Sequence, residues 1–139
     1  TETAKTNRKH EGGFFMGRFY KDQNSHNIFQ ELISLSESAS VPSLEEIKAN
    51  TTDAAQEKHV PVVTIKDNVV EVSVGSVTHP MLDEHYITGI YIETKLGAQY
   101  RKLAPGMDPK AVFILPEGDE FVAAYEYCNL HGVWKKDNN

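Results

Sequence analysis

From residue 60 onward, apolar and polar positions alternate along this chain, and turn formers interrupt them about every ten residues. Residues 60–65 and 69–77 are rich in valine and are separated by Lys66-Asp67-Asn68, a turn signal. In the second run Val70, Val72 and Val74 alternate with Glu71 and Ser73, which predicts one buried face and one wet face. Residues 86–94 alternate likewise, and Lys95-Leu96-Gly97 turns them into a strand at 98–103. Pro105-Gly106 breaks the chain before a strand at 111–115, and Glu117-Gly118-Asp119 leads into 121–127, which runs directly into Cys128. At least six short strands with regular turns predict an all-β domain over residues 51–139, with a β-sandwich the expected architecture.

Residues 1–50 read differently, as a small N-terminal domain or extension. Residues 1–12 are polar and charged, which predicts a mobile terminus carrying His10. Asn27-Ile28-Phe29-Gln30-Glu31-Leu32-Ile33 fits a short amphipathic helix or a strand, and His26 beside it reads as a surface histidine. Residues 36–43 form a polar connector. Ser43-Leu44-Glu45-Glu46 then has the form of a capping box, which predicts a single helical turn ending at Asn50-Thr51-Thr52-Asp53.

Composition narrows the partners. With 139 residues, 40% hydrophobic and 24% charged, the chain has the make-up of a soluble globular protein of one domain, or of one domain with an appendage. No apolar run approaches the ~20 residues of a transmembrane helix, and Phe14-Phe15-Met16 is too short for a signal-peptide core. A net charge of −6 with the two signs interspersed argues against nucleic acid as a partner, and any anionic substrate needs a local source of attraction. The one cysteine cannot form an intramolecular disulfide, which favours a reducing compartment and predicts a cytoplasmic protein.

That cysteine also carries the candidate chemistry. Cys128 stands three residues before His131, His79 and His85 lie upstream around Pro80-Met81, and His59 follows Glu57-Lys58. Four of the six histidines thus fall in the strand region beside the only sulfur able to act as a thiolate. These five side chains are expected to converge on one metal, against the bland reading of Cys128 as a small buried apolar residue. Structural zinc sites usually carry two or more thiolates, so zinc fits poorly. Five donors suit iron with a sixth position open. A blue-copper site, also built from one cysteine and histidines on a β-sandwich, is the competing reading, although residues 132–136 lack the methionine it would often use. The backbone N–H groups of Asn129 to His131 are expected to donate to the sulfur, while Tyr86, Tyr125, Tyr127, Trp134 and Met81 read as core packing.

Glu57-Lys58-His59-Val60-Pro61-Val62, Gly75-Ser76-Val77-Thr78-His79-Pro80-Met81, Glu84-His85-Tyr86-Ile87 and Cys128-Asn129-Leu130-His131-Gly132-Val133-Trp134 resemble the superoxide reductases, the desulfoferrodoxin and neelaredoxin family. The likeness spans residues 52–135 in order. It implies an immunoglobulin-like β-sandwich with a mononuclear iron cycling between Fe2+ and Fe3+, His59, His79, His85 and His131 being equatorial ligands and Cys128 the axial thiolate. The implied reaction is the one-electron reduction of superoxide to hydrogen peroxide, with water the expected first proton donor. Lys58 would supply the local positive charge, and Glu57 resembles the glutamate that occupies the sixth position of the oxidised iron. Gly13-Phe14-Phe15 and Asp53-Ala54-Ala55-Gln56 are similar to the small N-terminal domain and the domain junction of desulfoferrodoxins. Many members hold a second iron in that small domain through four cysteines. No cysteine precedes Cys128 here, so the chain resembles the subgroup whose small domain is metal-free, and an external donor such as a rubredoxin is implied. Family members suggest a homodimer or homotetramer. An electron-transfer protein with a copper or iron centre, and a non-catalytic metal-binding module, are the other readings.

Overall fold

The structure, a computed structural model, describes residues 18–36 and 41–138 and divides into two units, residues 1–48 and 49–139. The expectations for the polar terminus, His10, Gly13-Phe14-Phe15 and the middle of the connector lie outside the described residues.

In the first unit β1 (Phe19–Asp22) lies between β2 (Ile28–Gln30) and β3 (Leu44–Ile47) in an antiparallel sheet. The ambiguous stretch at 27–33 therefore contains a short strand, and His26 is exposed in the turn before it. The helical turn predicted from Ser43 is a correction, because these residues form β3. Ser43 adopts φ 71°, and its hydroxyl donates to Asp22 Oδ1 at 2.7 Å instead of capping a helix. Leu44 to Ile47 pair with Asp22 to Phe19, so a sheet partner distant in sequence overrides the local capping signal. Hydrogen bonds from Ser25 and Ser43 hold the Asp22 carboxyl down at about 2.

The second unit opens with one helical turn, α1 (Gln56–His59), followed by seven strands. These are β4 (Pro61–Lys66), β5 (Val69–Val74), β6 (Ile87–Thr94), β7 (Gly97–Lys102), β8 (Lys110–Ile114), β9 (Phe121–Cys128) and β10 (Gly132–Asp137). They form two antiparallel sheets of order β4-β5-β8 and β10-β9-β6-β7, the two layers of the expected sandwich. Val70, Val72 and Val74 are buried as their alternation predicts, packing with Ile87, Ile90, Ile92, Phe113 and Phe121. Two elements escaped the sequence reading. α1 is too short to show a period, and β10 ends in Lys135-Lys136-Asp137, although its Val133 and Trp134 are buried.

The layering sets the position of the metal-ligand candidates. His59, His85, Cys128 and His131 lie at or within two residues of the start of β4, the start of β6, the end of β9 and the start of β10, and His79 lies in the loop that follows β5. A register shift between Ile87 and Gly89 where β6 pairs with β9 marks a bulge, and the Thr88 hydroxyl donates to the Tyr127 carbonyl at 3.0 Å there.

β6 is buried on both faces. Ile90 and Ile92 enter the core, so Tyr91 and Glu93 point to the opposite face. Burial pushes the Glu93 carboxyl up to about 7, against the attraction of Lys135 and a hydrogen bond from Tyr125. Below about 4.5 the group is neutral in folded and unfolded chains alike, and as pH rises toward 7 the unfolded chain alone ionises, so its contribution to stability is lost across that window. Paired urea unfolding of Glu93→Gln and the parent should therefore diverge between pH 5 and pH 8. The variant is expected to gain on the order of 2 kcal/mol after allowance for solvent screening, and parallel curves would refute the assignment.

Candidate metal centre

Each candidate ligand sits where an element ends. His59 closes α1, and His79 follows the end of β5, where its N–H donates to the Val74 carbonyl at 3.0 Å. His85 lies in a tight loop in which Leu82 and His85 pair as an isolated bridge. Cys128 ends β9, and a three-residue turn carrying His131 returns the chain to Gly132, which pairs with Cys128. Gly132 has φ 82°, a left-handed conformation that favours glycine, so this residue lets the turn close.

The structure brings all five together. The imidazoles of His59, His79, His85 and His131 form a square, with neighbouring ring centroids 4.6, 4.7, 5.2 and 4.9 Å apart and the His59–His85 diagonal at 6.5 Å. Adjacent rings stand edge to face, at 74–86°. The Cys128 sulfur lies 3.6 Å from His79 Nε2 and 3.9 Å from His131 Nδ1. The donor atoms of His59, His79, His85 and Cys128 all fall within 4.8 Å of one another.

Tautomers determine what this cluster can do. His59 Nδ1 is 2.7 Å from the Ala55 carbonyl oxygen, and His79 Nδ1 is 2.7 Å from that of Pro80. A carbonyl only accepts, so both Nδ1 atoms carry the hydrogen and both Nε2 atoms present bare lone pairs. Those lone pairs face each other at 3.2 Å, and His131 Nδ1 stands 3.1 Å from His59 Nε2. His85 Nε2 is buried with no hydrogen-bond partner. Nitrogen donors on adjacent corners of a metal, with bonds of ~2.0–2.1 Å, stand about 3 Å apart. The spacing and the facing lone pairs fit a cation in the middle of the square.

Electrostatics keep the donors in the ligating form. Burial lowers the proton affinity of His59 and of His85, and takes His79 down to about 4, so all three are neutral at neutral pH. Burial also pushes the Cys128 thiol up, and hydrogen bonds from the backbone N–H groups of Leu130 and His131 counteract it. The expectation for Asn129 needs correcting, because its N–H donates to the Tyr86 carbonyl at 3.2 Å. Trp134 does more than pack. Its ring stacks on His59 at 4.9 Å, and its Nε1–H donates to the His131 carbonyl at 3.0 Å. Met81 behaves as packing, its sulfur accepting from Ile87 N–H at 3.4 Å.

Glu57 and Lys58 are exposed on α1. The positive charge of Lys58 lowers the proton affinity of both His59 and His85, so its field reaches the square. Glu57 lines an open groove with Gln56, Ser76 and Lys136. The sequence reading passed over Glu126, which is buried beside the thiol with both carboxylate oxygens unpartnered, and whose proton affinity burial raises well above the usual carboxylate range. Strand alternation carries the signal, because Glu126 shares its face with Ala124 and Cys128 of the core.

A family model described as Desulfoferrodoxin matches residues 51–137. A desulfoferrodoxin of Clostridium acetobutylicum is 50% identical over 91 residues, which cover 66% of this chain and 70% of the relative. The crystal structure of the superoxide reductase from Treponema pallidum aligns with a TM-score of 0.70 and 36% identity, covering 88% of this chain and 98% of that one. A one-iron superoxide reductase from Giardia intestinalis aligns over 60% of this chain and 98% of its own, with a TM-score of 0.52 and 32% identity.

The approach of α1 to the end of β5 depends on Gly75. A Cβ there would stand 2.7 Å from the Glu57 carbonyl oxygen, 3.0 Å from the Lys58 carbonyl carbon and 3.1 Å from the Val60 oxygen, all backbone atoms. The same Glu57 oxygen accepts from Val77 N–H at 2.9 Å and from the Ser76 hydroxyl at 3.2 Å, so the segment has little room to retreat. Gly75→Ala should displace the backbone that carries His59. The expected result is a loss of about 1–3 kcal/mol in unfolding free energy together with weaker metal retention against a chelator. Parental values in both measurements would show that α1 yields without cost.

Proposed function

The chain belongs to the desulfoferrodoxin family, and from that premise we propose that it is a superoxide reductase, reducing superoxide by one electron to hydrogen peroxide at an iron held by His59, His79, His85, His131 and Cys128. The observation that carries this reading is the square of imidazoles, with the bare nitrogens of His59 and His79 turned inward and one sulfur beside it. A trigonal copper site would use two histidines and leave two of these idle, whereas the square employs all four, which supports iron.

The bound iron would supply the electron that superoxide receives. The chain's part is to hold the donors and to attract the anion. Ala55 and Pro80 carbonyls fix the His59 and His79 tautomers, and Trp134 braces His59 from one face. The Leu130 and His131 amides stabilise the Cys128 thiolate that a metal requires. Four neutral imidazoles and one thiolate leave a divalent ion with a net charge of about +1, favourable to an anion. Lys58 adds a positive charge to that site in a protein of net charge −6, drawing superoxide in and offering an N–H donor to it. Glu57, on the same helical turn, would offer a carboxylate to the metal in competition with superoxide, and water would deliver the first proton.

Residues 1–50 form, in this reading, a desulforedoxin-like region without metal ligands, since no cysteine precedes Cys128. The electron then comes from an external redox protein of the rubredoxin kind. Assembly as a homodimer or homotetramer and a cytoplasmic location belong to the same proposal. No helix among the described residues is long and apolar enough to cross a membrane.

Metal analysis with a visible spectrum before and after mild oxidation tests the centre. One iron per chain, nearly colourless when reduced and blue when oxidised, is expected, and Cys128→Ser should abolish the blue band. Persistence of that band in the variant sinks the five-donor centre, and copper with an intense band would favour an electron carrier. Lys58→Ala should keep its iron but react with superoxide roughly tenfold more slowly at low ionic strength, the deficit shrinking as salt is added. A parental rate at low salt would remove Lys58 from the mechanism.

A further inference from the structure

His59 and His79 are aimed by hydrogen bonds to their rings, each Nδ1 meeting a backbone carbonyl at 2.7 Å. His85 is held differently. Its buried Nε2 has no hydrogen-bond partner. Its orientation must come from the backbone, where every peptide group around it is engaged. His85 N–H donates to the Leu82 carbonyl at 3.1 Å, and Leu82 N–H donates to the His85 carbonyl at 2.9 Å. The flanking groups are both taken by the side chain of Asn129. Its Oδ1 accepts from Tyr86 N–H at 2.9 Å, and its Nδ2 donates to the Glu84 carbonyl at 3.1 Å. The Asn129 N–H adds a third bond, to the Tyr86 carbonyl at 3.2 Å.

An asparagine in a tight turn ordinarily bonds to its own neighbours. Asn129 instead reaches a segment more than 40 residues earlier in the chain and straddles His85. Asn50 uses its amide in a related way, pairing with the N–H and carbonyl of Lys135 at 2.8 and 3.2 Å at the edge of β10. In both places a side-chain amide stands in for a strand partner. At Asn129 the clasp joins the residue after the thiol to the backbone of a histidine.

We propose that Asn129 is a positioning residue that locks the His85 imidazole to the Cys128 turn, so that these two donors hold one fixed separation. The clasp needs one donor and one acceptor. Aspartate has the same shape but only acceptors when ionised, and would turn a negative charge toward the Glu84 carbonyl. Asparagine is therefore required by chemistry, not by volume. The inference rests on the metal-centre reading for its consequence at the metal, and on the hydrogen bonds alone for the clasp.

The test compares Asn129→Asp and Asn129→Ala with the parent protein in three measurements. Hydrogen exchange at the Tyr86 amide of the metal-free protein should quicken roughly tenfold in Asn129→Ala, which removes the acceptor, whereas Asn129→Asp keeps an acceptor there and loses only the donor to the Glu84 carbonyl. Affinity for Zn2+, a redox-silent probe measured by chelator competition, should fall about 10–100-fold, further for aspartate than for alanine. In the iron-loaded proteins the thiolate band should move in energy, which a merely stabilising residue would not cause. If the aspartate variant fails to fold, the alanine variant, which adds no charge, decides the matter. Parental zinc affinity with an unshifted band in a folded variant overturns the positioning role, and parental Tyr86 exchange in Asn129→Ala overturns the clasp itself. A parent protein that takes up iron without a thiolate band would instead overturn the functional reading, with Tyr86 exchange still deciding the clasp.

Discussion

The constraint on which this structure turns is the enforced proximity of unprotonated donors at the buried end of the sandwich. Two imidazole lone pairs held 3.2 Å apart repel, and ordinarily a proton would enter between them. Burial opposes that escape: it lowers His79 to about 4 and depresses His59 and His85 as well. A metal cation among the four rings would relieve the repulsion, and its binding free energy would add to that of folding.

Holding such a cluster together requires stiffness from groups that do not touch the metal. The sheets supply it, since four of the five candidate donors stand at or within two residues of strand or helix ends, and the backbone N–H of His79 is tied to the Val74 carbonyl at the end of β5. Three further devices complete the frame. Carbonyls of Ala55 and Pro80 turn two rings, the indole of Trp134 presses on His59 while bonding to the His131 carbonyl, and the bare backbone of Gly75 lets α1 come close.

Much of this was legible in the sequence. Valines at 70, 72 and 74 announce a buried strand face because a half-buried strand has a period of two, and the structure buries all three. The five donors could be nominated because one sulfur and four histidines in a strand-rich stretch are chemically selective. What escaped depended on contacts that local patterns do not encode. Ser43-Leu44-Glu45-Glu46 carries a sound capping signal, yet pairing with β1 decides its conformation. Asn129 looked like a turn residue whose amide would serve the sulfur, but it reaches back to the loop of His85, an arrangement visible only once β9 and that loop lie side by side. Glu126 was hidden for the opposite reason: alternation places it in the core, and the charge in its name argues for the surface.

Glu126 also shows how the core tolerates the thiolate. It precedes Cys128 by two residues on one face of β9, and it pairs across the sheet with Ile90 and Trp134, both buried. An ionised carboxylate there would place a second negative charge next to the sulfur in a medium too poor in water to screen it. Burial opposes this by favouring the protonated form of Glu126, so a Cys128 thiolate would face a neutral acid. The negative charge at this end of the core is then concentrated on one atom, the sulfur. The amides of Leu130 and His131 point at that atom. Desolvation favours the proton on both acids, and it is the pair of amide hydrogen bonds, received by Cys128 and not by Glu126, that would let the sulfur alone give up its proton to a metal.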